Sequence, residues 1–245
     1  MTFEFHGSGV FLAVLCFLCI PGAQAKPGDS DYYMGFEAGG LSGDFGTLVD
    51  SDLYSFQVVG GLLASNYDVS VSVPYLIQKD DPGYTVEGLG DIALLVGHTL
   101  LPKQADGISV DGSVMLKLPT ADESKGLGTG EFDIGLILDI NHQWPSFSAS
   151  LRAGFINTGD TAVDSYNNSF LYGVSFFRMD GRFGNYLSLE GRTATIDHVA
   201  NPLELQIGTF YALNLNYMLT ANALIGLSNS SPDLGMSAGF RYWFD

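Results

Sequence analysis

The sequence predicts an all-β chain folded as a transmembrane, antiparallel, up-and-down β-barrel of 12 strands. Three observations predict it. Apolar and polar residues alternate through most of the chain, as in Asp68–Val73, Phe132–Ile140, Phe147–Phe155 and Leu203–Ile207. The connections between such segments alternate long and short. No segment carries a sustained 3.6-residue apolar stripe, so no helix is expected.

Residues 1–25 read as a signal peptide and 26–245 as the barrel. Val10–Ile20 is a short apolar run and Ala23-Gln24-Ala25 follows it, which places cleavage before Lys26. The run is too short to span a bilayer as a helix, which needs about 20 apolar residues. The residues ahead of it hold Glu4 and no Lys or Arg, a departure from the usual basic leader. Both cysteines, Cys16 and Cys19, fall inside this segment, so the mature chain has no disulfide and no thiolate chemistry.

The strands expected after it are 32–41, 53–63, 67–76, 90–101, 107–118, 130–141, 146–156, 168–178, 184–194, 203–213, 217–227 and 233–244. Their connections run 11, 3, 13, 5, 11, 4, 11, 5, 8, 3 and 5 residues. Outer-membrane barrels sort their connections in this way, with short periplasmic turns and longer outer loops. A soluble sandwich has no reason to do so. Only about six residues lie between Lys26 and the first strand, so no N-terminal plug is expected.

The apolar register of each strand faces lipid. It holds Val69, Val71, Leu94, Val96, Val110, Leu116, Leu136, Leu151, Val174, Leu189, Ile207 and Leu219. Arg178, at a strand end, is the one charge on that face. Aromatics gather at both ends, as bilayer interfaces favour. Tyr32, Tyr67, Phe147, Phe176, Tyr211, Tyr217, Tyr242 and Phe244 form a low girdle. Tyr54, Phe56, Tyr75, Phe132, Phe155, Phe170 and Tyr172 form a high one.

Charge follows the same sorting. The chain carries 27 Asp+Glu against 10 Lys+Arg, a net −17 with only 15% charged residues. No basic cluster exists, which excludes nucleic acid as a partner. The inward register holds Glu37, Asp68, Asp91, Asp111, Glu131, Asp133, Asp139, Glu190 and Glu204 against Lys117, Arg152, Arg192 and Arg241. Hairpin symmetry sets Lys117 opposite Glu131 and Arg192 near Glu204. Arg152 is close to Asp133 or Asp139, and Arg241 meets Glu37 if the last strand pairs with the first. These pairs brace the lumen, and the excess of acids also makes it attractive to cations. Inward apolar residues gather instead at the periplasmic ends, where Tyr33, Leu63, Phe177, Tyr186, Phe210, Met218 and Trp243 form an expected floor. The expected pore is therefore closed or narrow at its periplasmic end, with solute entering from outside and leaving laterally.

The last strand holds Ser237, Gly239, Tyr242 and Phe244 in the spacing of the outer-membrane assembly signal, one residue early because Asp245 follows. This spacing implies the barrel assembly machinery as a partner, beside outer-membrane lipid and lipopolysaccharide.

No catalytic residue, metal ligand or cofactor site is expected. Gly126-Leu127-Gly128-Thr129-Gly130 has the glycines of a phosphate loop but opens an alternating strand, not a helix. Asp80-Asp81 and Asp122-Glu123 match no defined cation site and read as solvated loop charge. The competing reading is a non-transporting barrel, structural or a lipid-modifying hydrolase. A hydrolase needs a Ser–His pair. His98 lies outward near the periplasmic end, His142 in a short turn and His198 in an outer loop.

Three segments carry a family resemblance: Gly88-Leu89-Gly90-Asp91, Leu116-Lys117-Leu118-Pro119-Thr120, and Gly126-Leu127-Gly128-Thr129-Gly130-Glu131-Phe132-Asp133. Together they resemble the run found in the outer-membrane transporters named for the meta-pathway of phenol degradation. The resemblance is strongest over residues 88–160, and Ala121 stands where that family often has Gly. It implies a bacterial outer-membrane barrel passing small solutes, hydrophobic or aromatic ones. It assigns no functional residue. Unlike the long-chain fatty-acid and toluene channels, this chain has no room for a long N-terminal hatch.

Overall fold

A computed structural model of the chain describes residues 31–47, 49–160 and 165–244. The expected signal peptide lies outside them. The strands are β1 (Asp31–Gly43), β2 (Ser51–Leu63), β3 (Tyr67–Asp80), β4 (Tyr84–Leu89), β5 (Ile92–Leu101), β6 (Ile108–Leu118) and β7 (Asp133–Gln143). They continue with β8 (Ser148–Asn157), β9 (Ser169–Asp180), β10 (Phe183–Arg192), β11 (Leu203–Ala212), β12 (Tyr217–Gly226) and β13 (Leu234–Trp243).

Neighbours in sequence pair antiparallel throughout, and β1 pairs β13 over Tyr33↔Trp243 to Ser42↔Leu234. That seam closes the sheet, so no open sheet edge meets lipid. β4 and β5 both pair with β3 and form one interrupted strand, so the barrel has 12 staves.

The interruption has a local cause. The β3 partner there is Pro74, which has no N–H to give to the ladder. Tyr75 pairs with Leu89 and Ser72 with Ala93, so two residues of β3 face three of the partner. The bulge turns Asp91 into the barrel directly after Gly90, whose missing side chain leaves room for Leu76 Cδ1 and Pro74 Cγ.

One expectation is corrected here. The stretch 77–89 is not a loop: β3 runs on to Asp80 and returns as β4 through a tight turn at 81–83, which continues the wall upward. The chain also contains a 3-10 turn, Glu123–Lys125, capped by Asp122 and ended by Gly126 at φ 72°. Ser124 donates to the Asp122 carboxylate, which holds that carboxyl below its ordinary range.

The outer face matches the alternation. Leu136, Leu151 and Ile207 are among the most exposed apolar side chains. So are Tyr32 and Tyr67 at the lower rim, and Phe132 and Phe170 at the upper. In water such a surface would be a liability; it is the surface a bilayer requires. Twelve strands also enclose more width than eight, the number at which side chains just fill a barrel. What occupies the remaining space defines the site.

Candidate functional site: the barrel interior

The interior is layered along its axis. At the outer end lies an apolar layer: Leu41 of β1, Phe45, Leu53 of β2, Leu76 of β3, Leu127 and Leu224 of β12, with Val86 and Ala121 against it. Leu127 belongs to segment 119–132, between β6 and β7. It is 3% exposed and shares one buried cluster with side chains of β1, β2, β3 and β12, so this segment folds into the barrel and does not project outward. The sequence reading treated it as an outer Gly-rich loop and missed the layer. The available signal was a leucine flanked by glycines in an otherwise polar loop, together with inward-register leucines at the outer ends of four strands.

The same segment is pinned by a buried ion-pair cluster. Lys117 Nζ lies 3.0 Å from Asp133 and 3.4 Å from Asp91, and donates to Thr129 Oγ1 at 2.6 Å. Lys117, Asp91 and Asp133 are all at most 3% exposed. Asp91 Oδ1 accepts the backbone N–H groups of Thr120 and Ala121 at 3.0 and 2.9 Å. Asp133 Oδ1 accepts the N–H of Gly159 at 3.0 Å. Thr120 Oγ1 accepts from the Ile92 N–H and donates to the Gly90 carbonyl. A Cβ on Gly128 would stand 2.6 Å from Asp91 Oδ2 and 2.7 Å from Ala121 Cβ, so only glycine lets the segment approach. The three segments that carry the family resemblance therefore converge on one cluster.

Lys117 does not pair with Glu131, as hairpin symmetry suggested. β6 and β7 align Lys117 with Asp133 because the connection folds inward and β7 starts only at Asp133. Glu131 is half-buried in that connection, and Gly159 lies close against its Cβ.

The other charges pair lower down. Arg152 holds Asp139 with two bonds, at 2.9 and 3.2 Å, and lies 3.8 Å from Glu190. Arg192 meets Glu204 at 3.3 Å, both buried. Glu37 and Arg241 both point inward at the β1–β13 seam, two residues out of step, and the Arg241 guanidinium stands 5.2 Å from the centre of the Tyr33 ring.

At the periplasmic end, Tyr33, Val59, Tyr186, Phe210, Met218 and Trp243 form one buried cluster, with Leu63 and Phe177 packed against it. Phe177 and Phe210 stack at 5.7 Å and 11°. All seven residues read from the sequence meet here, and Val59 joins them. These side chains come from β1, β2 and β9–β13, so the floor covers that side of the barrel.

Beside the floor, against β5–β10, lies a cavity of about 440 Å³ lined by Asp111, Asp139, Arg152, Ser150, Phe177 and Tyr186 among others. It reaches Lys103, Gly107 and Gln143 in the periplasmic turns. Met115 and Ile156, with Leu95 and Leu171, separate it from the Lys117 cluster. The expected narrowing at the periplasmic end is present on the side that the floor covers, while the expectation of an interior open from outside is corrected. The outer end is filled by Leu127 and its neighbours, and the free volume reaches the periplasmic side.

The assembly-signal residues lie in and just beyond β13. Ser237 points inward and accepts from Asn222 at 3.0 Å. Gly239 faces the backbone of Phe36 too closely for a Cβ. Tyr242 packs on Tyr217 and Phe244 on the outer surface. Of the histidines, His98 stacks on Tyr67 with Nδ1 2.7 Å from the Asn66 carbonyl, His142 packs on Trp144 and lines the periplasmic end of the cavity, and His198 is exposed.

No protein-family model matches this chain, and no curated protein matches it. Solved structures do. The COG4313 outer membrane channel from Pseudomonas putida F1 is similar over 92% of this chain and 99% of that one, with a TM-score of 0.75 and 14% identity. The translocator domain of the autotransporter NalP from Neisseria meningitidis is similar over 97% and 96%, with a TM-score of 0.60 and 10% identity. The KdgM porin, solved with disordered oligogalacturonate, is similar over 87% and 99%, with a TM-score of 0.56 and 8% identity. At these identities the likeness speaks to fold. A closed 12-strand barrel with a lipid-facing exterior and outer-membrane barrels as its structural neighbours is a protein of the bacterial outer membrane.

Proposed function

We propose that the chain is an outer-membrane channel for small solutes, of the hydrophobic or aromatic class that the motif resemblance implies. One observation carries this reading. The interior is not packed along its whole length: a cavity of about 440 Å³ reaches the periplasmic turns, and above it the interior is occupied by apolar side chains, the Lys117 cluster and the inward-folded segment 119–132. A barrel that served only as a scaffold would be expected to fill this volume, because voids cost stability. A hydrogen-bonded segment folded into the barrel above free volume suits a passage that the segment closes. The apolar layers above and beside the cavity suit solutes with apolar surface, and the solved channel from Pseudomonas putida shares the architecture. The barrel assembly machinery and lipopolysaccharide are proposed partners, from the terminal aromatic pattern and the acidic outer loops.

Swelling of proteoliposomes in neutral aromatics, aromatic acids and sugars, scored against protein-free liposomes, tests this. Entry of aromatic solutes ahead of sugars of similar size is the expected result. Swelling with none of them, alongside release of fatty acid from phospholipid, would overturn the proposal in favour of a hydrolase.

A further inference from the structure

The cavity wall holds a charge arrangement that bracing does not account for. Asp111 and Asp139 lie directly opposite each other in the β6–β7 ladder, both facing the cavity. Like charges placed directly across a ladder destabilise it. Asp139 is matched by Arg152. Asp111 is held only by neutral groups, Thr99 Oγ1 and Asn141 Nδ2, each at 2.7 Å. Asp68 lines the same cavity from β3, and among the described residues it has no cation partner. Of the basic side chains on the lining, Arg152 is shared between Asp139 and Glu190, Lys103 stands exposed at the mouth and donates to Gln143, and His142 lies at the periplasmic end against Trp144. The interior of the cavity is therefore net negative.

A second observation points to a ligand. Ser150, 6% exposed, lines the cavity with its hydroxyl bound to nothing. A buried hydroxyl without a partner costs free energy, and the residue that carries this one is part of the cavity wall. The wall beyond it carries aromatic groups, Phe177 and Tyr186.

From these features we propose that the cavity is a binding site for small organic cations, an ammonium group on an apolar or aromatic body. The ammonium sits among Asp68, Asp111 and the Ser150 lone pairs. The body lies on Phe177 and Tyr186, where ring faces attract positive charge. This rests on the channel reading and names the charge of its solute.

The test uses the full barrel in micelles, titrated with benzylammonium, benzyl alcohol and benzenesulfonate, followed by calorimetry. Benzylammonium is expected to bind at least about tenfold more tightly than either other probe, since one carboxylate within reach of an ammonium is worth that factor or more. The double variant Asp68→Asn/Asp111→Asn is expected to lose that preference while keeping its heat-modifiable gel mobility, and Ser150→Ala to weaken the cation alone. Equal affinity for the three probes, or an unchanged preference in the double variant, overturns the proposal. Proteoliposome flux separates the two readings. Binding of benzylammonium without flux of any probe keeps the site and sinks the channel. Flux without charge preference keeps the channel and sinks the site.

Discussion

Replacing Lys117 by Met tests whether the buried cluster holds segment 119–132 inside the barrel. Methionine roughly preserves the aliphatic stem and deletes the charge. Asp91 and Asp133 then remain buried with no counter-charge between them, and Thr129 loses its donor. At 3.0–3.4 Å each attraction is about 5 kcal/mol for an effective dielectric of about 20. Desolvation of three charged groups opposes this, so the cluster's net worth is far smaller than that sum. Removing one partner is different, because it strands the others: the cost for a buried pair is about 3–5 kcal/mol. The segment can relieve it by leaving the barrel, which also withdraws Leu127 from the outer layer. Two readouts follow: urea unfolding in micelles by tryptophan fluorescence, and conductance in planar bilayers. The expected outcome is a loss of about 3–5 kcal/mol with a higher open conductance. The triple variant Lys117→Met/Asp91→Asn/Asp133→Asn is expected to regain most of the stability, since neutralising a whole buried cluster is often harmless. Lys117→Met within about 1 kcal/mol of the parent, with unchanged conductance, would refute the reasoning.

Three further outcomes follow from the same structure. Gly128→Val forces a side chain into Asp91 Oδ2 and Ala121, and is expected to cost about 1–3 kcal/mol and make segment 119–132 cleavable by added protease. Trp243→Ala empties the middle of the periplasmic cluster; a loss of about 3–5 kcal/mol in urea unfolding and a rise in conductance are expected. Leu136→Arg places a charge on the lipid face and is expected to cost about 2–4 kcal/mol when the barrel refolds into vesicles, whereas Ser113→Arg, facing the cavity, is expected to change ion selectivity.

The sequence was most legible where the physics is local. In a strand the side-chain period is two, so the apolar register of β7, β8 or β11 already says which side meets lipid. The periplasmic cluster was readable for the same reason, because Tyr33, Phe210 and Trp243 share the inward register at the same end of their strands. The Arg192–Glu204 pair was readable too, since each residue lies at the strand end next to the loop that joins the two strands. The partner of Lys117 was not, because it depended on where a long connection ends and β7 begins.

Alternation and loop rhythm, then, determined a closed barrel of 12 staves, its lipid face and the sorting of charge away from that face. Those properties depend on near neighbours along the chain and on the cost of placing charge against lipid. Only the tertiary structure decided that β3 continues to Asp80, that the ladder bulges opposite Pro74 and turns Asp91 inward, and that Leu127 joins the buried layer of Leu41, Leu53, Leu76 and Leu224. Those contacts join residues far apart in sequence, and nothing in a two-residue period specifies which of several inward leucines a distant loop will meet.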